Sequence, residues 1–281
     1  MIFTDAHVHF WDPGVFTYPW LARHPELSRP HTPADLDRET DGPAPNRMIF
    51  IQAECVETQA LDEVCWIDQL AAQDRRIAAI IAYCRMDGSR SNAAQIEALR
   101  AHPRVRGVRH LIQGQTDPDF CLRPGFVAGV RQCGAANLLF ELCCVADQLP
   151  NVIRLVEQCP DTAFVLDHAG KPDIRSGRLD PWREHIDTLA SFPQVVCKLS
   201  ALVTQARHDG WQPSDLRPYW DHALAAFGPA RLLFGSDWPV MKLASSYRRW
   251  FETANTLAAD LSSSDRAALF HDNATRVYHL R

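Results

Sequence analysis

The sequence lacks the glycine-rich motifs that cradle the phosphates of nucleotides: neither GxGxxG nor GxxxxGK[ST] occurs in it. We therefore expect no nucleotide chemistry. It also lacks any run of lysines and arginines, and its formal net charge is −5. Because proteins that bind nucleic acids usually present a basic surface to the phosphates, we expect no nucleic-acid partner.

Long apolar runs are missing as well. The longest, residues 77–84 and 138–145, fall far short of the roughly 20 residues that a helix needs to cross a bilayer, so no membrane partner is expected. No secretory signal pattern is present, and we expect a cytoplasmic protein. The nine cysteines lack the CxxC spacing of metal sites. We expect those inside apolar runs to be reduced core residues; they are Cys84, Cys143, Cys144 and Cys197.

Eight short apolar segments typical of β-strands alternate along the chain with helical patterns. They are residues 2–9, 47–52, 77–84, 105–110, 138–143, 163–168, 195–200 and 231–237. Amphipathic spacing between them predicts helices, for example at 60–73, 93–100, 152–158 and 214–227. Eight such units in 281 residues predict an α/β fold, the (β/α)8 TIM barrel, rather than an open doubly wound sheet.

No linker-like stretch divides the chain, and α/β barrels of this length form one unit, so we predict a single domain over residues 1–281. The proline-rich stretch 12–45 is too long for a simple βα turn. It predicts a loop over the mouth of the barrel.

Polar residues cluster where the predicted strands end, and in a barrel these ends converge on one pocket. The strand ends carry His7 and His9, Arg109 and His110, Asp167 and His168, Lys198, and Ser236 and Asp237. The side chains selected as the predicted active site are His7, His9, His110, His168 and Asp237.

His7 and His9 lie two residues apart on a strand, so their rings project to the same face and can share a metal ion or a substrate oxygen. Asp237 ends an apolar strand, where it can reach a water in the pocket as a general base; a turn or helix cap is the alternative. We predict His7, His9 and Asp237 as metal ligands. Asp237, His168 and His110 are the predicted catalytic residues, although each histidine taken singly also suits a structural role.

Charged residues inside the predicted strands are costly to bury unless they are paired or solvated. For Glu54, Glu141 and Lys198, structural ion pairing and contact with a substrate both remain open. The predicted substrate-binding residues are Arg109, Glu141, Lys198, Trp211 and Trp238. For the two tryptophans, aromatic packing is the alternative.

Five motifs together resemble the amidohydrolase superfamily, and within it the branch that hydrolyses sugar lactones. They are DAHVHFW at 5–11, GVRH at 107–110, LDHAGKP at 166–172, CKLS at 197–200 and GSDWP at 235–239. The resemblance spans essentially the whole chain. It implies a lactonase, a carboxylic ester hydrolase that opens an aldonolactone such as L-fucono-1,5-lactone with water. The family's general base matches Asp237, and its imidazoles match His7, His9, His110 and His168.

Two strands depart from the binuclear members of that superfamily. Those members carry a bridging Lys or Glu on strand four and a metal-binding His on strand five, where this chain has Arg109-His110 and Glu141. The resemblance therefore implies either one divalent metal, zinc, or activity without metal. It also implies a small-molecule sugar lactone as partner, and leaves open whether the chain forms a homo-oligomer.

Two other functions remain as alternatives. The first is a 2-pyrone-4,6-dicarboxylate lactonase or a related zinc decarboxylase on the same scaffold, for which Arg109 and Arg123 are the candidate carboxylate-binding residues. The second is a non-catalytic barrel that binds a sugar acid. Such a barrel would be expected to lose the terminal Asp or part of the histidine set, and this chain keeps both.

Overall fold

The computed structural model describes residues 2–40, 42 and 44–280. Its eight strands form one parallel sheet in which each strand pairs with the next along the chain. The strands are β1 (Thr4–Val8), β2 (Arg47–Ile51), β3 (Ile77–Tyr83), β4 (Val105–Arg109), β5 (Leu139–Leu142), β6 (Phe164–Leu166), β7 (Val195–Ser200) and β8 (Leu232–Gly235).

Helices follow the strands and surround the sheet. They are α1 (Pro33–Thr40), α2 (Ala60–Gln73), α3 (Arg90–Arg100), α4 (Pro124–Ala135), α5 (Leu149–Gln158), α6 (Trp182–Ala190), α7 (Leu202–Gln205), α8 (Pro213–Phe227), α9 (Tyr247–Leu257), α10 (Ser263–Ala267) and α11 (Asn273–Val277). None of the helices described combines the length and the apolar character that spanning a bilayer requires.

The sheet closes between β1 and the segment that follows β8. The Asp237 amide donates to the His7 carbonyl at 2.8 Å, and the His9 amide donates to the Trp238 carbonyl at 2.7 Å. The predicted (β/α)8 barrel is therefore confirmed, and each predicted strand contains an observed one. Residues 1 and 281, the ends of the predicted domain, lie outside the described residues, and the single domain stays a prediction.

Alternation along the strands divides the core into a lumen and an outer layer. The lumen is filled by small and branched side chains, which are Ala6, Ile49, Ile51, Ala79, Ile81, Leu139, Val165, Val196 and Leu233. The other strand face packs under the helices through residues such as Val8, Phe50 and Phe140. Strands buried on both faces need apolar residues at nearly every position, which explains the continuous apolar runs in the sequence.

Gly107 in β4 is required by this lumen. A Cβ atom at that position would lie 2.5 Å from Leu139 Cδ1, closer than two carbon atoms can approach. The glycine therefore allows the leucine to fill the barrel.

The first part of the predicted long loop lies over the mouth of the barrel, whereas Pro33–Thr40 within it form helix α1. The Trp11 amide donates to the His31 carbonyl at 3.0 Å, and the His31 amide donates back to the Trp11 carbonyl at 2.8 Å. Residues 12–30, which we call the mouth loop, are thus closed at their base. Of this loop, Trp20, Arg23 and His24 face the cavity below.

Candidate active site

A cavity of about 310 Å³ opens at the C-terminal ends of the strands. This volume is within the usual range for small-molecule sites, roughly 300–1,000 Å³. Its polar wall is formed by His9, Arg23, His24, Glu54, Arg109, Gln113, Cys143, His168, Lys171 and Asp237, and its apolar wall by Trp11, Trp20, Ala53, Leu111, Val240 and Leu243. Such a wall suits a small molecule that carries several hydroxyl or carbonyl groups and one apolar face.

Three of the predicted site residues meet at the floor of the cavity, which His9 and Asp237 line and beneath which His7 lies. His9 Nε2 lies 3.1 Å from Asp237 Oδ1 and 3.2 Å from His7 Nε2, and His7 Nε2 lies 3.6 Å from the same Asp237 oxygen. All three residues are buried. The structure thus brings together a residue of β1, a residue just after β1 and a residue two positions after β8.

The geometry of these three side chains fits a divalent metal ion. His9 Nδ1 donates to the Ile51 carbonyl at 2.8 Å, so in a neutral ring Nε2 carries a lone pair directed at the Asp237 carboxylate. Two lone pairs repel each other unless a proton or a cation lies between them. Four-coordinate zinc holds its ligand atoms about 3.3 Å apart, close to the three separations observed.

His168 belongs to the same cluster. One ligand atom from each of His7, His168 and Asp237 lies within 4.8 Å of the other two, and His168 Nδ1 is 2.8 Å from the Ser200 hydroxyl. Burial lowers the pKa of both His7 and His168 well below the usual value. Both rings are therefore neutral near pH 7, and a neutral imidazole is the form that binds metal.

A fully buried charge network supports His7 from below. Lys198 Nζ donates to Glu141 Oε2 at 2.6 Å and lies 3.1 Å from Asp167 Oδ1 and 3.2 Å from His7 Nδ1. The Tyr278 hydroxyl donates to the other Glu141 oxygen at 2.8 Å. Carboxylates that contact a ligating histidine in this way fix the orientation of its ring.

Arg109 joins the network from β4. Its Nη2 donates to the Gln52 carbonyl at 2.7 Å, and its Nη1 lies 3.5 Å from Asp167 Oδ2 and 3.4 Å from His7 Nε2. A guanidinium hydrogen and a metal ion compete for that nitrogen. The floor of the cavity therefore has a cationic neighbour with or without a metal.

Asp237 has the electrostatics of a base. Burial alone would raise the pKa of its carboxyl, but the neighbouring His168 and His9 imidazoles lower it more, so the pKa lies below the usual value. The carboxylate is ionised at neutral pH. It can accept a proton from a water molecule placed beside it in the cavity.

Backbone strain is concentrated around the cavity. Four lining residues other than glycine have positive φ angles: Glu54 (59°), His168 (54°), Lys171 (50°) and Asp237 (61°). Such conformations cost roughly 1–3 kcal/mol each and persist only where the surroundings hold them. Their concentration here is typical of a functional site.

Several predicted site residues lie elsewhere. His110 is not among the described residues that line the cavity. Its ring packs against Tyr83, Phe120 and Phe126, and its Nδ1 donates to the Cys84 carbonyl at 3.1 Å. The structure therefore does not bring it to Asp237.

The predicted substrate-binding residues divide in the same way. Arg109 lines the cavity, whereas Glu141 and Lys198 lie beneath it in the charge network. Trp211 Nε1 donates to the Ala244 carbonyl at 2.8 Å, and Trp238 Nε1 donates to Glu39 at 2.9 Å. Both tryptophans are buried in packing roles and do not contribute to the cavity wall described above.

Other residues of the site were not selected from the sequence. Asp167 contacts both His7 and Lys198, and Lys171, Gln113 and the mouth loop line the cavity. The LDHAGKP motif contains Asp167 and Lys171, so the available signal was their position at the end of a predicted strand and just after it. The length and proline content of the mouth loop predicted its position over the barrel, but not which of its side chains line the cavity.

Comparisons with known proteins find relatives along nearly the whole chain. A family model described as amidohydrolase matches residues 4–280. An L-fucono-1,5-lactonase from Burkholderia multivorans is 36% identical over 98% of this chain and 95% of its own length, and one from Burkholderia ambifaria is 30% identical with the same coverage. A 4-sulfomuconolactone hydrolase from Rhizobium radiobacter is 26% identical over 84% of this chain and 75% of its own length.

A solved structure is similar over its full length. It is the crystal structure of an amidohydrolase from Burkholderia multivorans with bound zinc, which superposes with a TM-score of 0.89 at 34% identity and covers 100% of both chains.

Proposed function

The chain belongs to the amidohydrolase family, and from that premise we propose that it is a lactonase that opens a sugar lactone such as L-fucono-1,5-lactone. The resemblance to this family noted in the sequence is confirmed. The observation that carries the proposal is the ionised Asp237 carboxylate, held at 3.1 Å from His9 Nε2 on the floor of a cavity with polar and aromatic walls. The two relatives named L-fucono-1,5-lactonase support the substrate class.

In the proposed reaction, Asp237 takes a proton from a water molecule, and the water oxygen forms a bond with the lactone carbonyl carbon. The bond between that carbon and the ring oxygen then breaks, and the proton held by Asp237 passes to the ring oxygen. The product is a hydroxy acid, which ionises in water. Arg109 and His168 supply donors for the developing oxyanion, a contribution of about 3 to 4 kcal/mol for a well-placed donor.

We propose His7, His9 and Asp237 as the residues that would hold one divalent metal, zinc, with His168 beside them. When bound, this ion would polarise the lactone carbonyl and stabilise the oxyanion. Support comes from the fit of the three atoms to zinc and from the zinc in the similar amidohydrolase structure. Arg109 near His7 supports a metal-free alternative, which the experiment below distinguishes.

The experiment is a pH-indicator assay with a panel of aldonolactones, performed on metal-stripped and on zinc-loaded protein. We expect acid release from at least one sugar lactone, and dependence on zinc decides the cofactor. The Asp237→Asn variant should fold as the wild type does and lose roughly 10²- to 10⁴-fold in kcat, the usual contribution of a general base. Wild-type protein that opens none of the lactones would overturn the proposal.

Adding 2-pyrone-4,6-dicarboxylate to the panel tests the alternative substrate. Arg109 and Arg23 line the cavity, whereas Arg123 is bound to Asp117 at 2.7 Å on the surface. A preference for the dicarboxylate would replace the sugar lactone as substrate. Binding of sugar acids without turnover of any lactone would instead support the non-catalytic barrel.

A further inference from the structure

Lysine is rare in this chain. Of its 29 basic residues only three are lysines, and these are Lys171, Lys198 and Lys242. They follow or belong to the last three strands, near the cavity. All other basic residues of the chain are arginines. We therefore infer that these three positions favour a compact ammonium over a planar guanidinium.

The three lysines differ in their partners. Lys198 is paired with Glu141 and Asp167 inside the barrel, and Lys242 is paired with Glu39 at 2.5 Å outside the cavity lining. Lys171 lines the cavity, and its Nζ donates to Gln113 Oε1. Among the described residues no carboxylate oxygen lies within ion-pair distance of it. An ammonium has three donors, so two remain for a ligand.

A strained turn holds Lys171 in this place. Residues 168–171 all have positive φ angles, of 54°, 51°, 69° and 50°, and the Lys171 amide donates to the His168 carbonyl at 2.9 Å. In such a tight turn, residues three apart lie on the same side. His168 and Lys171 accordingly both face the cavity.

Packing around the turn enforces this conformation. Trp182 Nε1 donates to the Ala169 carbonyl at 2.8 Å, and a Cβ atom on Gly170 would lie 2.9 Å from Leu149 Cδ2. Left-handed residues other than glycine cost roughly 1–2 kcal/mol each. A purely structural role would not explain why Lys171 is held in this strained conformation, because its only described side-chain hydrogen bond is to Gln113 at the cavity wall.

The chemistry of lactone opening matches an unpaired cation. The substrate is neutral, the transition state carries negative charge on the former carbonyl oxygen, and the product carries a carboxylate. A fixed ammonium therefore interacts more strongly with the transition state and the product than with the substrate. An interaction of this kind raises kcat more than it lowers KM.

We propose that Lys171 is a further catalytic residue, whose ammonium stabilises the oxyanion formed as water adds to the lactone and then binds the carboxylate of the product. This inference rests on the proposed lactonase function. Lys171 neither transfers a proton nor forms a covalent bond in this role.

The test compares wild type, Lys171→Met, Lys171→Arg and the matched control Lys242→Met, with L-fucono-1,5-lactone as substrate. For Lys171→Met we expect kcat to fall about 100-fold with KM within about threefold of wild type. Lys171→Arg should recover part of the loss, and Lys242→Met should keep wild-type kcat. A Lys171→Met variant with wild-type kcat would overturn the inference while leaving the lactonase function intact.

A binding measurement separates this inference from the lactonase function itself. By calorimetry, Lys171→Met should bind the product L-fuconate at least about tenfold more weakly than wild type, because a charge-assisted hydrogen bond is lost. Binding of the neutral sugar L-fucose should not change. Equal affinity of both proteins for L-fuconate, or no binding to wild type, would overturn the role of Lys171 even if no lactone were turned over.

Acylation of lysines offers a check without mutation. With an amine-selective acetylating reagent and peptide mass spectrometry, L-fuconate should protect Lys171 but not Lys242. Equal labelling of Lys171 with and without L-fuconate at saturating concentration would contradict the proposed contact.

Discussion

Replacing Lys198 by Met tests the charge network under the active site. Lys198 is completely buried, and its Nζ lies 2.6 Å from Glu141 Oε2 and 3.1 Å from Asp167 Oδ1. Methionine has nearly the same length and leaves no cavity, so the change removes the cation alone. Two buried carboxylates then lose their common partner.

The expected loss is large because breaking a buried ion pair on one side costs about 3–5 kcal/mol. Asp167 keeps Arg109 at 3.5 Å, and burial raises the pKa of Glu141, an effect that Lys198 opposes. Glu141 can therefore take up a proton once Lys198 is gone. We accordingly expect a loss of stability near 3 kcal/mol, the lower end of the range. With roughly 2 °C per kcal/mol for a chain of this size, Tm should fall by about 6 °C or more at neutral pH.

The matched variant is Glu141→Leu, in which Lys198 keeps Asp167 as partner. We expect its loss of stability to be smaller than that of Lys198→Met. The double variant should be no less stable than Lys198→Met alone, since the carboxylate left unpaired is removed as well. Thermal or urea unfolding followed by circular dichroism measures all four proteins. Strictly additive losses, or a loss below about 1 kcal/mol for Lys198→Met, would refute the description of this network.

Three further predictions concern other parts of the molecule. Burial raises the pKa of Glu63 to about 8. Between the unfolded pKa of about 4.5 and pH 8, the folded state therefore keeps a proton on Glu63 that the unfolded state has lost. The free energy of unfolding is greatest below that range and falls by up to about 1.4 kcal/mol per pH unit as the pH rises through it. The stability advantage of Glu63→Gln over wild type, measured by urea unfolding, should therefore grow over that range, and a constant difference would contradict it. His9→Gln should lose bound zinc in metal analysis while His110→Gln retains it; equal metal contents would exclude His9 as a ligand. Gly170→Ala should destabilise the protein by about 2 kcal/mol in urea unfolding because φ is +69°; an unchanged midpoint would show that the turn relaxes freely.

The strands and the neighbourhood of His7, His9 and Asp237 were predictable from the sequence. Parallel strands buried on both faces require apolar runs, and such runs are visible in any sequence that forms them. In a barrel the C-terminal ends of all strands surround one pocket, so strand ends that are far apart in the chain become neighbours. This is why residues 7 and 237 could be assigned to one site, and the 3.6 Å between His7 Nε2 and Asp237 Oδ1 agrees with it.

Strand alternation could have separated one pair of candidates. Arg109 and His110 are adjacent, and adjacent side chains on a strand point to opposite faces. Only one of them can enter the lumen, and the structure places Arg109 there, with His110 among aromatic rings. The pattern shows that one must face outward, but which one depends on the register of β4 against its neighbours.

The tertiary structure decided how the remaining side chains reach the site and which partners they have. His168 and Lys171 reach the cavity through a left-handed turn that is enforced by contacts with Trp182 and Leu149, which no local propensity indicates. Lys198 is separated from Glu141 by 57 positions, and the pairing depends on both side chains pointing into the same lumen. The sequence by itself determined which segments form strands and where they end, because that information is local. Side-chain direction beyond those ends, and the partners of buried charges, depend on packing between distant segments and so were decided by the fold.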